Sequence, residues 1–215
     1  MNRKRHAALA VALAGAFLLG VASACTDSEN DAGPVSRPSA AEVPAEDVET
    51  LGFLERYEQL APGLKGQASL IYIDGEADFS AFSAILVEPV VAWEGPGGAS
   101  PEASRARAQA LDAGLRRELA REFELVDRPG AGTLRLRAAL ASRADSHLVL
   151  EVEMLDAMSG ERVIAAVDHR TLDATSDHVD SANPIEQWPV IIRNRLGAFR
   201  QFDAAARARE AGEKP

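Results

Sequence analysis

Two stretches in the second half of the chain alternate apolar and polar residues so strictly that they leave little choice of fold. In TLRLRAAL (133–140), Leu134, Leu136, Ala138 and Leu140 fall on one side and Arg135 and Arg137 on the other. HLVLEVEML (147–155) repeats the rhythm, with Leu148, Leu150, Val152 and Met154 inward and Glu151 and Glu153 outward. A period of two is the mark of a half-buried strand. Paired with each other, the two strands set arginines opposite glutamates on an outer surface, contacts worth roughly 0.2–1 kcal/mol per pair. DAMSGE (156–161) offers a hairpin connection with Gly160 available for positive φ, and RVIAAVDHR (162–170) returns antiparallel.

Upstream, ASLIYI (68–73) and SAILVEPVVAW (83–93) are β-prone, the second with Ile85 and Val87 inward and Val91 as a further inward candidate. LGFLERYEQLAPG (51–63) has apolar residues without a period and reads as an ordered lead-in with one helical turn. The first helix starts at Ser100 as N-cap, with Pro101 in the first helical position and Glu102 beside the positive helix end. Leu111, Leu115, Leu119 and Phe123 then recur every fourth residue, so one face is apolar. ELVD (124–127) makes a short strand. The last helix is expected from Trp188 or Pro189, with Trp188, Ile192, Leu196, Phe199 and Phe202 on one stripe. Long strands need a covered face and two amphipathic helices are available. The expected fold is therefore α+β, a mostly antiparallel sheet with both helices packed on one face.

The N-terminus has Arg3, Lys4 and Arg5, an apolar run from Ala7 to Val21, then Ala22, Ser23, Ala24 and Cys25. This order is that of a secretory signal. At about 15 residues the run is shorter than the roughly 20 that a spanning helix needs. Two cleavage readings stand: ASA before Cys25 suits ordinary signal peptidase, while VASAC resembles a lipobox, with Ala22 where leucine is commonest. Cys25 is the single cysteine, so no intramolecular disulfide can form and stability rests on an ordinary core. Diacylation at Cys25 would anchor the chain without crossing the membrane. Residues 26–50, rich in proline, serine and acids, read as a flexible tether. The expected organisation is signal peptide 1–24, tether 25–50, one periplasmic domain 51–205 and a charged tail 206–215.

The formal charge of −10 deepens to −13 without the signal, 20 basic against 33 acidic residues. Nucleic acid is thereby an unsuitable partner, since affinity for it comes from neutralising phosphates. Adhesion to anionic headgroups is disfavoured for the same reason.

Candidate chemistry is sparse. Asp74, Glu76 and Asp78 match the first three ligand positions of an EF-hand, but position 6 is Phe79 and position 12 is Ile85, where glycine and glutamate are required. Asp173, Asp177, His178 and Asp180 are metal-ligand types in a stretch with no period to orient them, which reads as a solvated loop. Asp168 and His169 are strand neighbours and point to opposite faces. No G-x-S-x-G elbow occurs, and PGAG (129–132) lacks the lysine and helix start of a phosphate loop. Trp93 and Trp188 carry two readings, core residue or exposed partner contact.

Five stretches, GFLERYEQLAPG (52–63), YIDGEADFSAFSAILVEPVVAW (72–93), LVDRPGAGTLRLRAAL (125–140), MLDAMSGE (154–161) and the tryptophan-bearing last helix, resemble in order a family of small Gram-negative lipoproteins known as domain of unknown function 3313. Where that family usually reads proline, this chain has Gly75. The resemblance implies a lipid anchor and a periplasmic domain, and brings neither catalytic residues nor a substrate. The expectation is thus a non-enzymatic, lipid-anchored envelope protein that binds a protein partner, with no cofactor and no metal. The outer membrane is favoured because Thr26 follows Cys25, with the inner membrane as alternative. A small-ligand or lipid carrier, with an apolar cavity between helices and sheet, is the second reading. A hydrolase or metal enzyme, requiring several of Asp74, Asp78, His169 and His178 to converge in one cleft, is the third.

Overall fold

The three long strands lie side by side: β6 (Thr133–Ser142), β7 (His147–Asp156) and β8 (Arg162–Thr171). A computed structural model describes residues 48–95, 98–143, 146–172 and 183–212, all within the unit Ala41–Pro215. The signal, Cys25 and the loop carrying Asp173, Asp177, His178 and Asp180 lie outside the described residues. β1 (Ala61–Pro62), β2 (Leu70–Ile73), β3 (Ala84–Val87), β4 (Val91–Trp93) and β5 (Glu124–Leu125) complete an eight-stranded sheet of order β1-β2-β8-β7-β6-β3-β5, with β4 also paired to β6. Gly160 takes φ 73° in the β7–β8 hairpin, where Asp156 Oδ1 accepts from the amides of Met158 and Ser159.

The sheet is mixed, a correction to the mostly antiparallel expectation. From β1 to β6 all pairings are antiparallel, but β3 and β4 run parallel to β6, and β3 parallel to β5. The cause is α1 (Pro101–Leu119), inserted between β4 and β5: a strand that leaves through a helix and returns beside itself comes back parallel. Nor is 83–93 one continuous strand. Val87 pairs with Leu136 and Val91 with Ala139, so three residues of this edge face two of β6. The extra residue is a bulge around Pro89, which has no amide to give to the ladder. The bulge also reverses the facing of the residues beyond it. Ile85 and Val87 are buried as expected, whereas Val91 is turned to the other face and is 43% exposed.

Both helices cover one face. Ser100 Oγ caps α1 by accepting from the Ala103 amide, and Leu111, Leu115 and Leu119 are buried against Leu134, Leu136, Leu140 and their β7 neighbours. The second helix, α2 (Pro184–Glu210), begins one turn earlier than expected, capped by Asn183, whose Oδ1 accepts from the Ile185 amide. Asn183-Pro184 repeats the cap-plus-proline signal of α1, and Pro189, expected at a helix start, sits inside the helix instead. α2 also continues past 205 to Glu210, and Arg207, from the expected tail, pairs with Asp78. Among the described residues no helix is long and apolar enough to cross a membrane.

The helices meet at Gly114 of α1. A Cβ built there would lie 2.9 Å from Cγ of Pro189, closer than carbon atoms approach. Gly114→Ala therefore sets a gain in helix propensity of about 1 kcal/mol against an overpacking cost of about 1–3 kcal/mol. Because the proline ring has no free end to swing aside, the cost prevails. The expected result is a melting temperature a few degrees lower, measured by circular dichroism.

The opposite face of the sheet is covered as well. Residues 48–60 cross it as a strap with a 3-10 turn at Tyr57–Gln59, laying Leu51, Leu54 and Leu60 on Ala139, Ala141, Val149, Ala165 and Val167. Small residues on the strands let the strap come close. The outer surface expected to carry solvated Arg–Glu pairs is thus a second buried layer, and Glu151 and Glu153 are buried within it.

Candidate functional site: an apolar slot with a charged rim

On the strap side, buried charges have structural partners. Glu151 is 0% exposed, and its carboxylate accepts from the amides of Leu51 (2.5 Å), Phe53 (3.0 Å) and Leu54 (3.2 Å) and from the Tyr57 hydroxyl (2.6 Å). Gly52 makes this convergence feasible, since at φ 78° it curls the chain around the carboxylate. Burial, then the bond to Glu151, pushes the Tyr57 hydroxyl up to about 12 from its ordinary 10. Glu153 pairs with Arg162 (3.0 Å) and Arg137 (2.7 Å), and the Arg162 guanidinium also reaches Arg56 O and Gln59 Oε1. Of the expected cross-strand pairs, Arg137–Glu153 forms. Arg135 turns to Glu88 on the neighbouring chain segment instead.

The carboxylates at 74, 76 and 78 do not gather round a common point. Asp74 Oδ1 accepts from the Glu76 amide (3.0 Å), a local turn bond. Asp78 caps a 3-10 turn at Phe79–Ala81, taking the amide (3.1 Å) and hydroxyl (2.7 Å) of Ser80, and pairs with Arg207. Among the described residues no group of three or more His, Cys, Asp or Glu is placed to hold a metal ion.

Asp168 and His169 part as their strand positions require. His169 Nε2 donates to Glu49 O at 2.8 Å on the strap side. Asp168 faces α2, where its Oδ2 accepts from Trp188 Nε1 (2.7 Å) and Arg170 Nε (2.9 Å). Asp74 lies at the far end of β8, its amide 2.9 Å from Val163 O. Six residues along a strand is roughly 20 Å, so Asp74 and His169 cannot share one cleft.

Trp188 is 2% exposed in the helix-side core, with the Arg170 guanidinium 5.9 Å from its ring centroid. The core reading holds for it, and an exposed contact is closed. Trp93 is half-buried at the edge of the strap layer, its ring edge-on to Phe53 at 6.4 Å.

Between α2 and the β2–β8–β7 part of the sheet lies an apolar slot, a feature that periodicity alone could only place in outline. Its floor is built by Ile73, Met154, Ile164 and Ala166, its roof by Trp188, Ile192, Leu196 and Phe199. Ala166 and Ala68 bring only a Cβ to the lining, which leaves a cavity of about 80 Å³. Ligand pockets run to roughly 300–1,000 Å³, and an apolar cavity of about 150 Å³ takes a benzene. The enclosed part of the slot suits a group of three or four carbons. At one end stand Asp168 and Arg170. Arg195 also lines the slot, its Nη2 3.5 Å from Gly66 O, the limit of a hydrogen bond.

Fold and site define an α+β domain with one helix-covered face, one strap-covered face and an apolar slot under its last helix. Residues 49–146 match the family model described as "Protein of unknown function (DUF3313)", so the resemblance carried by the sequence is borne out over that span. No curated protein matches the chain. Among solved structures it is similar to the PelC dodecamer from Paraburkholderia phytofirmans, at 12% identity over 61% of this chain and 94% of that one, TM-score 0.34. A candidate lipoprotein from Caulobacter crescentus CB15 is similar at 17% identity over 59% of this chain and 93% of that one, TM-score 0.29. Identities and TM-scores this low say nothing of activity.

Proposed function

We propose that this protein is a lipid-anchored component of the Gram-negative envelope, held at the outer membrane by Cys25 and facing the periplasm, that works by binding another envelope protein and not by catalysis. The observation carrying the reading is that the acids and histidine singled out as chemical candidates in the described domain are spread apart and engaged in structural bonds. Asp78 caps a turn and pairs with Arg207, Asp168 holds Trp188 and Arg170, and His169 ties down the strap. The lipobox-like VASAC and the single cysteine support the anchor.

Two measurements test it. In cells given labelled palmitate, the wild-type chain takes up label and sediments with outer membranes, whereas Cys25→Ser takes up none and is released with the soluble periplasm. An unlabelled, soluble wild type removes the anchor. Photo-crosslinkers stepped over the exposed faces of the domain in intact cells should give a protein adduct confined to one patch. Adducts at no position, across several growth states, remove the binding role.

A further inference from the structure

We infer that the slot receives one aliphatic side chain of leucine size from a partner polypeptide, which also presents a carboxylate beside it to Arg195. The inference rests on the binding role proposed above and names the chemistry of the partner. Three observations lead to it. The cavity of about 80 Å³ is apolar in floor and roof and its enclosed part matches a few carbons. Beside the charged groups of its rim, apolar surface is exposed: Ile73 of the lining is 38% exposed, and the exposed Leu64 belongs to the β1–β2 loop whose Gly66, Gln67 and Ala68 line the slot. Its two guanidinium groups differ in their surroundings. Arg170 is held by Asp168 (2.9 Å) and Gln187 (2.8 Å), while no carboxylate among the described residues pairs with Arg195. A cation that lines an apolar slot and has no carboxylate partner among the described residues favours an anion next to an apolar anchor. The enclosed volume matches one short aliphatic side chain better than a lipid tail, and Arg195 in the lining favours an anchor that carries an anion beside it.

The test is a methyl-resolved NMR titration of the full chain carrying Cys25→Ser, so that no acyl chain competes, with the blocked dipeptide N-acetyl-Leu-Glu-amide as probe. The isoleucine methyls at 73, 164 and 192 should shift and saturate. N-acetyl-Leu-Lys-amide should bind about threefold or more weakly, the size of one rim charge pair, and Arg195→Glu should reverse that order. Ala166→Leu fills the slot and should abolish the shifts while leaving the melting temperature equal or higher. Absence of saturable shifts, equal response to both dipeptides, or shifts that survive in Ala166→Leu each overturn the inference. So does decanoate binding about tenfold tighter than the dipeptide, a difference of about 1.4 kcal/mol in favour of a lipid ligand. If the slot fails but crosslinked adducts persist in Ala166→Leu cells, the binding role stands and its surface lies elsewhere.

Discussion

Replacing Glu151 with alanine is expected to lower the unfolding free energy by about 3–5 kcal/mol, a large share of the 5–15 kcal/mol typical of a domain. Three strap amides and the Tyr57 hydroxyl converge on this one carboxylate, and of these donors the Leu54 amide has a second acceptor, the Tyr57 oxygen at 3.1 Å. Without the carboxylate the strap either leaves donors buried and unsatisfied or lifts away, exposing Leu51, Leu54 and the sheet residues beneath. Urea denaturation measures the loss, and hydrogen exchange locates it: the amides of Leu51, Phe53 and Leu54 should lose protection first. A solvated surface glutamate would change stability by less than about 0.5 kcal/mol, so the two readings of this position are far apart. Tyr57 adds a pH dependence of known sign. Its hydroxyl is pushed up to about 12 in the folded chain, so folding favours the protonated form. That contribution is intact below pH 10 and is lost as pH rises towards 12. Tyr57→Phe should remove this part of the alkaline decline.

The parts of this architecture that periodicity encodes directly were legible. Leu134, Leu136, Leu148 and Leu150 line the helix side because a period of two assigns faces, and Leu111, Leu115 and Leu119 bury because a period near four assigns a helix stripe. What periodicity cannot say is what covers the other face. A signal was present: after Arg135 and Arg137 the outward positions of β6 become Ala139 and Ala141, and those of β8 include Ala165 and Val167. An outward face turning small and apolar needs a cover, and the aperiodic LGFLERYEQL, which forms no more than a 3-10 turn of its own, supplies it. Glu151 looked solvated because its neighbours alternate properly. Its burial depends on four donors from residues about a hundred positions away, and long-range pairing of that kind leaves no local pattern. The parallel pairing of β3 and β4 with β6 likewise depends on how α1 returns the chain. The slot follows from side-chain volume at Ala166, legible only once α2 is known to pass above it.

Trp188→Ala should cost about 3–5 kcal/mol, the usual range for deleting a buried tryptophan, and should act on the slot as well as on stability. The indole fills the core beneath the start of α2 and donates from Nε1 to Asp168. Its removal takes away a wall of the slot and one of the two donors that hold Asp168, leaving Arg170 as the other. Trp188→Phe separates the effects, because it keeps most of the apolar volume and loses only the hydrogen bond. It should destabilise by about 1–3 kcal/mol, the cost of an unsatisfied buried acceptor. A difference of about 2 kcal/mol between the variants, read from chemical denaturation, assigns the larger part to packing. Equal losses would place the weight on the Asp168 bond, and the indole would then act chiefly as the donor that fixes the charged end of the slot.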